Sequence, residues 1–283
     1  MKSIFDQLRL KQLEDLDEDP YGENRISQHT EIQDSKRAFK MLVTDIHWEL
    51  LSLVEKFDTS GRLRPICEIG AGVIPLSTLS ERVLSSDLVH NPNLDLQFNA
   101  ESMPFGNGCF NAIIGQNVFH HFTNYQKVLL EMQRVLTPGG VIVLLEPSFN
   151  WISKIIYPRL FSFEGFDLDA DPMHVLFNRD SQVVPNQALS WIVFNRELKR
   201  FEDEFPNLEI VERLQLPNGI RYLGSGGLNF KQLIPTHALS ILRKFEQSRL
   251  FKPLFKRFAL HWVVVIRVKP APIDMSNQDI SDV

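Results

Sequence analysis

The feature that most constrains this chain of 283 residues is the segment Pro65–Gly72, in which a short apolar run ends at Glu68 and two glycines follow. An apolar run of this length, bounded by glycine, is typical of a buried strand that enters a tight turn. Glycine is needed where a Cβ would block a positive φ or the close approach of a ligand. In open α/β sheets, the turn after the first strand binds nucleotide-like ligands. The segment therefore predicts an α/β sheet with a ligand at the end of its first strand.

The residues that follow this turn narrow the choice of ligand. Dinucleotide-binding turns carry a third glycine three residues after the second, and this chain has Pro75 at that position. Proline suits the first turn of a helix, where its missing N–H has no partner to lose. The pattern disfavours a dinucleotide and favours an adenosyl group without a pyrophosphate.

Beyond the glycine turn, short apolar runs alternate with stretches of helical spacing. From Asp34 to Phe57, apolar residues recur every three or four positions, which predicts a helix. A βαβ succession predicts a parallel sheet with helices on both faces. The predicted strands are 64–68, 82–86, 94–98, 110–115 and 141–145, followed by 208–214 and 260–268; the other predicted helices of the first half are 75–81 and 124–136.

Composition excludes several classes of protein. The net charge of −5 gives no basic excess of the kind that nucleic-acid binding requires. Two cysteines, Cys67 and Cys109, are too few for a disulfide framework and suit a reducing compartment. The N-terminus lacks the apolar core of a signal peptide, and no run approaches the roughly 20 apolar residues of a membrane span. A cytoplasmic protein of enzyme size is expected, without a metal.

Four motifs occur in a characteristic order between residues 65 and 147. They are Glu68-Ile69-Gly70-Ala71-Gly72, the segment 100–111 (AESMPFGNGCFN), the segment 117–122 (NVFHHF) and the segment 131–140 (EMQRVLTPGG). In this order they resemble class I S-adenosylmethionine-dependent methyltransferases of the type 11 branch. The resemblance implies an α/β, Rossmann-like methyltransferase fold. Its sheet is mixed and seven-stranded with the last strand antiparallel, it has helices on both faces, and an aromatic cap insertion follows strand five.

The resemblance also divides the chain into five expected parts. Residues 1–33 would form an N-terminal arm or lid, and 34–146 the S-adenosylmethionine-binding core. Residues 147–205, rich in aromatic side chains, would form a cap that binds the methyl acceptor. Residues 206–269 would complete the sheet with strands six and seven and an intervening helix, and the polar segment 270–283 would be a disordered tail.

The cofactor S-adenosylmethionine is implied by the resemblance, and so are its contacts. The glycine turn would lie against the amino-acid part of the cofactor. Glu68 would orient the turn or hold the methionyl ammonium through water, or it would merely cap the next helix. Asp87 would accept from both ribose hydroxyls, and Asn99, where relatives often have Asp, would accept from the adenine amino group. The full implied set is Glu68, Gly70, Ala71, Gly72, Asp87, Asn99, Ala100, Glu101, Gln116 and Asn117. The usual third glycine of the turn is replaced by Ile74-Pro75.

No catalytic residue follows from the sequence with certainty. His120 and His121 could act as a general base, because histidine titrates near neutral pH, or could pin the loop below the cofactor. An acceptor that is already nucleophilic needs only alignment and exclusion of water, and hence no base. The other candidates are His174, Glu146, Asp171 and His29.

One further segment is both basic and amphipathic. A helix is predicted over about 237–258, with Pro253 expected to kink it. Such a pattern can dock on an anionic membrane, but a solvated helix that covers the sheet is the preferred interpretation.

The expected function is transfer of a methyl group to an oxygen, nitrogen or carbon atom of a small-molecule acceptor, apolar or aromatic, in a biosynthetic pathway. Two alternatives stay open. One is a non-catalytic cofactor-binding or scaffold protein that keeps the fold, for which the altered glycine turn is the support. The other is a nicotinamide-dependent oxidoreductase, which would be stabilised by the dinucleotide.

Overall fold

The computed structural model describes residues 8–10, 23–61, 63–161, 164–174, 176–177 and 183–270. The predicted tail lies outside the described residues apart from Pro270, and so does most of the predicted N-terminal arm. The strands are β1 (Ile66–Ile69), β2 (Val83–Asp87), β3 (Leu96–Gln97), β4 (Phe110–Gln116), β5 (Leu136–Pro147), β6 (Leu176–Phe177), β7 (Val183–Val184), β8 (Leu208–Gln215) and β9 (His261–Val268). The α-helices are α1 (Glu23–Ser35), α2 (Arg37–Phe57), α3 (Tyr125–Val135), α4 (Ser153–Leu160), α5 (Leu189–Trp191), α6 (Leu198–Glu204), α7 (Gly219–Ser225), α8 (Thr236–Gln247) and α9 (Lys252–Lys256).

Seven of these strands form one sheet in the order β3-β2-β1-β4-β5-β9-β8. The pairs from β3 to β5 are parallel, whereas β9 runs antiparallel to both β5 and β8. The predicted sixth and seventh strands therefore exist, and the seventh inserts between the fifth and the sixth. This confirms the predicted mixed sheet with an antiparallel last strand.

Helices cover both faces of the sheet because the central strands are apolar on both sides. In β4, Ala112 and Ile114 pack with α2 residues such as Leu50, while Ile113 packs with Met132 of α3. All of these side chains are buried. Alternation along a strand sends successive side chains to opposite faces, so each face needs its own helix.

Helix α3 shows how local sequence sets an element boundary. The Asn124 side chain accepts a hydrogen bond from the backbone N–H of Lys127 at 3.0 Å, which caps the first turn. The helix ends at Val135, and β5 begins at once. Thr137-Pro138-Gly139-Gly140 is an excursion of β5 opposite Asn111, and regular pairing with β4 resumes at Val141.

Two predicted helices are shorter in the structure. The helix expected over 75–81 is a single 3₁₀ turn, Leu76–Thr78, which follows Pro75. The helix expected over 237–258 is interrupted between α8 and α9. In the second case Pro253 lies in the first turn of α9, where proline starts a helix instead of kinking one.

Residues 147–205, the predicted cap, contain short elements and aromatic contacts. A π-helical turn, Ile192–Arg196, follows α5 and packs on α3. The Phe149 ring lies 4.7 Å from the Trp191 ring and 5.3 Å from that of Trp262 on β9. These aromatic side chains form an apolar layer beside β9.

Candidate active site

The candidate site lies at the edge where the parallel strands end. Strands β1, β2 and β4 finish there at Ile69, Asp87 and Gln116. Because β9 is antiparallel, its first residue reaches the same edge, and His261 pairs with Pro147 at the end of β5. The topology therefore gathers residues from the whole chain along one edge.

Different structural constraints favour glycine at the two positions after β1. Both have a positive φ, +64° at Gly70 and +57° at Gly72. A Cβ on Gly70 would lie 2.5 Å from Cγ2 of Val118, so the side chain of Val118 occupies that space. A Cβ on Gly72 would meet no atom within 4 Å. Of these two glycines, Gly72 borders open space that a ligand could fill, whereas at Gly70 the backbone conformation and Val118 explain the glycine.

Asp87 connects the end of β2 to the glycine turn. One carboxylate oxygen accepts from the backbone N–H of Gly72 and the other from that of Val89, both at 3.0 Å. Asn91 donates to the carbonyl of Gly72 at 2.7 Å from the other side. Asp87 is half-buried, and each of its oxygens keeps a second lone pair. It can therefore hold the turn and still accept from a ligand.

Glu68 lies beneath the turn and is fully enclosed. It accepts from the backbone N–H of Leu76 at 2.8 Å, from the Ser85 hydroxyl at 2.5 Å and from the Gln116 amide at 3.2 Å. Burial raises the pKa of Glu68 to about 7. All its donors are electrically neutral. Of the roles weighed for Glu68, these contacts favour orienting the turn, since the bond to Leu76 closes the loop that starts at Gly70.

Gln116 is tied to the same network. Its amide nitrogen lies 3.0 Å from Nε2 of His47 on α2, and burial lowers the pKa of His47 to about 4. A neutral ring nitrogen can accept this hydrogen bond. The Gln116 side chain therefore links α2 to Glu68.

The segment after β3 forms a tight turn of its own. The side-chain oxygen of Asn99, expected to accept from adenine, accepts from the backbone N–H of Glu101 at 2.9 Å. Ala100 is buried, and the Glu101 carboxylate lies 3.7 Å from Nζ of Lys127. Asn117, after β4, is exposed and has a φ of +50°, the only positive value for a non-glycine residue in the described part of the chain. Positions of this kind concentrate at functional sites.

A buried charged cluster lies at the end of β5. Glu146 accepts from the backbone N–H groups of Val118 at 3.0 Å and Phe119 at 2.8 Å, and from Nδ1 of His120 at 2.7 Å. Nε2 of His120 faces the Glu164 carboxylate at 3.7 Å. Burial alone would lower the pKa of His120, but Glu146 and Glu164 outweigh it and raise that pKa to about 10. His120 is therefore a buried cation at neutral pH.

Two more histidines adjoin this cation. The rings of His120 and His121 lie 4.4 Å apart. Burial, followed by the charge of His120, lowers the pKa of His261 to about 4, and its buried Nδ1 has no hydrogen-bond partner in the described residues. The Tyr222 ring packs on His261 at 4.7 Å.

The same cluster has the composition of a metal site. One ligand atom each from His120, His121 and Glu164 lie within 4.8 Å of one another. Two imidazoles and a carboxylate could hold a divalent transition metal. The expectation of no metal stays a prediction.

The other catalytic candidates lie in different surroundings. Asp171 is exposed and lies 3.4 Å from the Arg200 guanidinium of α6. The backbone N–H of His174 donates to Asp171, so both belong to one exposed turn. His29 is half-buried in α1. The structure thus brings His120, His121 and Glu146 together, whereas Asp171 and His174 lie in a separate turn beside Arg200.

Sequence reasoning missed Glu164, Tyr222 and His261. His261 leaves a weak signal, because it is a histidine followed by five apolar residues at the start of a strand. Glu164 and Tyr222 give no signal in the sequence, because the folding of the insertion and the position of α7 bring them to the cluster.

Comparisons with known proteins find similarity to methyltransferases. Residues 67–144 match a protein family described as a methyltransferase domain. Demethylmenaquinone methyltransferase of Thermus thermophilus is 34% identical over 76 residues, which are 25% of this chain and 34% of that protein. The ubiquinone/menaquinone biosynthesis C-methyltransferase of Vibrio vulnificus is 26% identical over 151 residues, 52% of this chain and 53% of that protein. The chain thus spans about half or less of the length of these relatives.

Among solved structures, a phosphoethanolamine N-methyltransferase 2 of Haemonchus contortus is similar with a TM-score of 0.47 and 14% identity, covering 93% of this chain and 61% of that one. Within the described residues, no helix combines the length and apolarity that crossing a membrane demands.

Proposed function

We propose, from the premise that residues 67–144 are a class I S-adenosylmethionine-dependent methyltransferase domain, that this protein transfers a methyl group to a small-molecule acceptor. The observation that carries the proposal is the strand edge itself. There a glycine turn beside Asp87 adjoins a buried cation, His120, at the end of β5. One end of the edge suits a ligand whose hydroxyl groups donate to a carboxylate, and the other suits an acceptor that develops negative charge.

The residues present fit the cofactor. Gly72 borders open space, Asp87 keeps lone pairs for two ribose hydroxyls, and Asn117 holds an exposed, left-handed backbone beside them. Asn99 can accept a second hydrogen bond while it caps its own turn. When bound, S-adenosylmethionine would supply an electrophilic methyl group on its sulfonium. In this arrangement Glu68 positions the turn and makes no contact with the reacting atoms.

The acceptor would bind between the end of β5 and the insertion. His120 is held as an imidazolium by Glu146, so its charge stabilises an oxygen that becomes anionic. Glu164, 21% exposed, faces the same nitrogen and could take the proton of an acceptor hydroxyl. His261 offers a ring nitrogen that has no hydrogen-bond partner among the described residues. These groups favour an acceptor with an ionisable hydroxyl group.

Aromatic side chains beside the cluster favour an apolar, ring-bearing acceptor. The Phe161 ring contacts that of Phe230 at 5.7 Å, and the Tyr157 ring stacks on that of Phe166. A phenolic or enolic ring whose oxygen is stabilised as an anion gains nucleophilic character at carbon as well as at oxygen. The two curated relatives, whose names refer to demethylmenaquinone and to C-methylation in quinone biosynthesis, support a carbon acceptor.

Calorimetric titration with S-adenosylhomocysteine tests the cofactor half of the proposal. The wild-type protein should bind it, and Asp87→Ala should weaken binding at least about 30-fold, as expected when two charge-assisted hydrogen bonds are lost. Asp95→Ala is the matched control, because Asp95 likewise accepts from a backbone N–H group, that of Ser85 on β2 at 2.8 Å. Binding of a nicotinamide dinucleotide instead would contradict the proposal.

A turnover assay tests the acceptor half and separates the enzyme from a scaffold. Cell extract is incubated with cofactor labelled in the methyl group, and labelled small molecules are identified by mass spectrometry. Transfer of label should require His120, and His120→Gln should reduce turnover while leaving S-adenosylhomocysteine binding within about twofold. Cofactor binding without transfer to any extract fraction would indicate a non-catalytic protein.

A further inference from the structure

Helix α8 presents two of its large apolar side chains outward. In this helix only Leu239 and Glu246 are buried. Ile241 and Phe245 are 54% and 44% exposed. A surface helix normally buries its apolar stripe against the core and exposes its polar side. Here a carboxylate faces inward and large apolar side chains face out.

Helix α9 continues the same surface. None of its residues is buried, and the Phe245 ring contacts the Phe251 ring at 5.4 Å, which joins the two helices. We call the resulting surface the α8–α9 face; its exposed apolar members are Ile241, Phe245, Leu250, Phe251 and Leu254. A contiguous exposed apolar patch of this kind marks an interaction site.

Charged contacts hold α8 in this orientation. The Arg221 guanidinium on α7 contacts Glu246 at 2.5 Å and Asp45 of α2 at 2.8 Å. Arg243 contacts the same Asp45 through two nitrogens, at 2.7 and 2.5 Å. Accordingly, α8 packs mainly on α7, α2 and α9, and it does not cover the sheet as the sequence suggested. Ile241 and Phe245 are left facing away from the protein.

Basic side chains surround the apolar ones. Between 241 and 258 the sole acid is Glu246, which is buried and paired with Arg221. The chain as a whole has a net charge of −5, so this positive segment is a local exception. Five basic residues of the segment have no acidic partner in the described part of the chain: Lys244, Arg249, Lys252, Lys256 and Arg257.

An exposed tryptophan extends the face toward the insertion. Trp151 is 62% exposed, and its ring lies 6.4 Å from that of Phe258, just after α9. Ile155 on α4 is also exposed. Tryptophan has an apolar body and a polar N–H, which suits the boundary between water and lipid.

We propose that the α8–α9 face docks on the surface of an anionic lipid bilayer. Apolar side chains enter the boundary between headgroups and acyl chains, and the surrounding lysines and arginines bind lipid phosphates. A second copy of the chain fits less well. In a twofold-symmetric dimer the same patch meets itself, which would bring two sets of unpaired cations together. Docking is independent of the proposed methyl transfer, since it uses none of the residues at the strand edge.

Vesicle sedimentation with the full chain tests the proposal. Vesicles of phosphatidylcholine with 30% phosphatidylglycerol are compared with pure phosphatidylcholine vesicles, at 0.1 and 0.5 M NaCl. The wild-type protein should bind the anionic vesicles at least 10-fold more tightly than the neutral ones, and high salt should weaken that binding. Leu250→Ser/Leu254→Ser and Lys244→Glu/Lys252→Glu should each reduce binding at least 10-fold.

Matched controls come from surfaces elsewhere on the protein. Leu130 of α3 is 54% exposed and Lys199 of α6 is 81% exposed, and Leu130→Ser and Lys199→Glu should bind vesicles like the wild type. Circular dichroism melting checks that every variant is folded. Equal binding by wild type and face variants would overturn the proposal. So would absence of vesicle binding together with a dimer in sedimentation velocity that the Leu250→Ser/Leu254→Ser variant dissociates, since the face would then join two copies.

Discussion

Two buried glutamates, Glu68 at the end of β1 and Glu146 at the end of β5, occupy similar places in the sheet but have opposite surroundings. Glu68 accepts from a backbone N–H, a hydroxyl and an amide, all neutral, and burial raises its pKa to about 7. Glu146 accepts from two backbone N–H groups and from His120, whose pKa is raised to about 10. The β1 end therefore tolerates a neutral side chain, whereas the β5 end is built around an ion pair.

The two ends also differ in how far along the chain their partners lie. Glu68 and its contacts at Leu76 and Ser85 fall within one βαβ unit. The cluster at Glu146 draws on Glu164 in the insertion and His261 at the start of β9. The proposed cofactor side thus rests mainly on one βαβ unit, joined by Gln116 of β4, whereas the proposed acceptor side is assembled by the whole fold.

The largest expected effect is at the β5 end. Glu146→Ala leaves two buried backbone N–H groups and the His120 cation without their acceptor, so the free energy of unfolding should fall by about 3–5 kcal/mol. Denaturant titration measures this. Glu146→Gln keeps one acceptor oxygen and should lose less. A loss below about 1 kcal/mol for Glu146→Ala would mean that His120 is not a buried cation.

In the same denaturant titration, substitution of the two glycines after β1 should lower the free energy of unfolding by different amounts. Gly70→Ala adds a Cβ that would lie 2.5 Å from Val118 and occupies a positive φ, so we expect a loss of about 2–4 kcal/mol. Gly72→Ala has only the positive φ to oppose it and should lose about 1–2 kcal/mol. Gly70→Ala/Val118→Ala is the matched control and should recover part of the loss. If both single variants lost the same amount, Val118 would not explain Gly70.

The contrast between the two ends explains what the sequence can predict. The strands, the glycine turn and Asp87 follow from short-range patterns, because apolar runs, glycine and a carboxylate lie within some 20 residues. His120 and Glu146 are visible as candidates, but their pairing depends on the register of β4 and β5 and on the loop between β4 and α3. The sequence also could not show that Asn99 caps its own turn.

The charge of His120 predicts a pH dependence at the β5 end. A raised histidine pKa stabilises the folded state fully below the unfolded value of about 6.5, and this contribution is lost as pH rises toward 10. From pH 7 to 9, the stability advantage of the wild type over His120→Gln should shrink by at most about 1.4 kcal/mol per pH unit. His261 does not contribute in this window, because its pKa is lowered to about 4. A difference that is flat with pH would place a neutral imidazole beside Glu146.

The smallest expected effect is at Glu68, where stability also falls with rising pH but over a lower pH range than at His120. Since its folded pKa of about 7 exceeds the unfolded value of about 4.5, the folded state binds the extra proton between these values. The stability contributed by this group is therefore fully present below pH 4.5 and is lost as pH rises through 7. Glu68→Gln, which keeps an acceptor for Leu76, should cost about 1 kcal/mol or less at pH 5 and still less at pH 8. A penalty that grew with pH would show that Glu68 is ionised in the folded protein, and the β1 end would then resemble the β5 end in needing a charge.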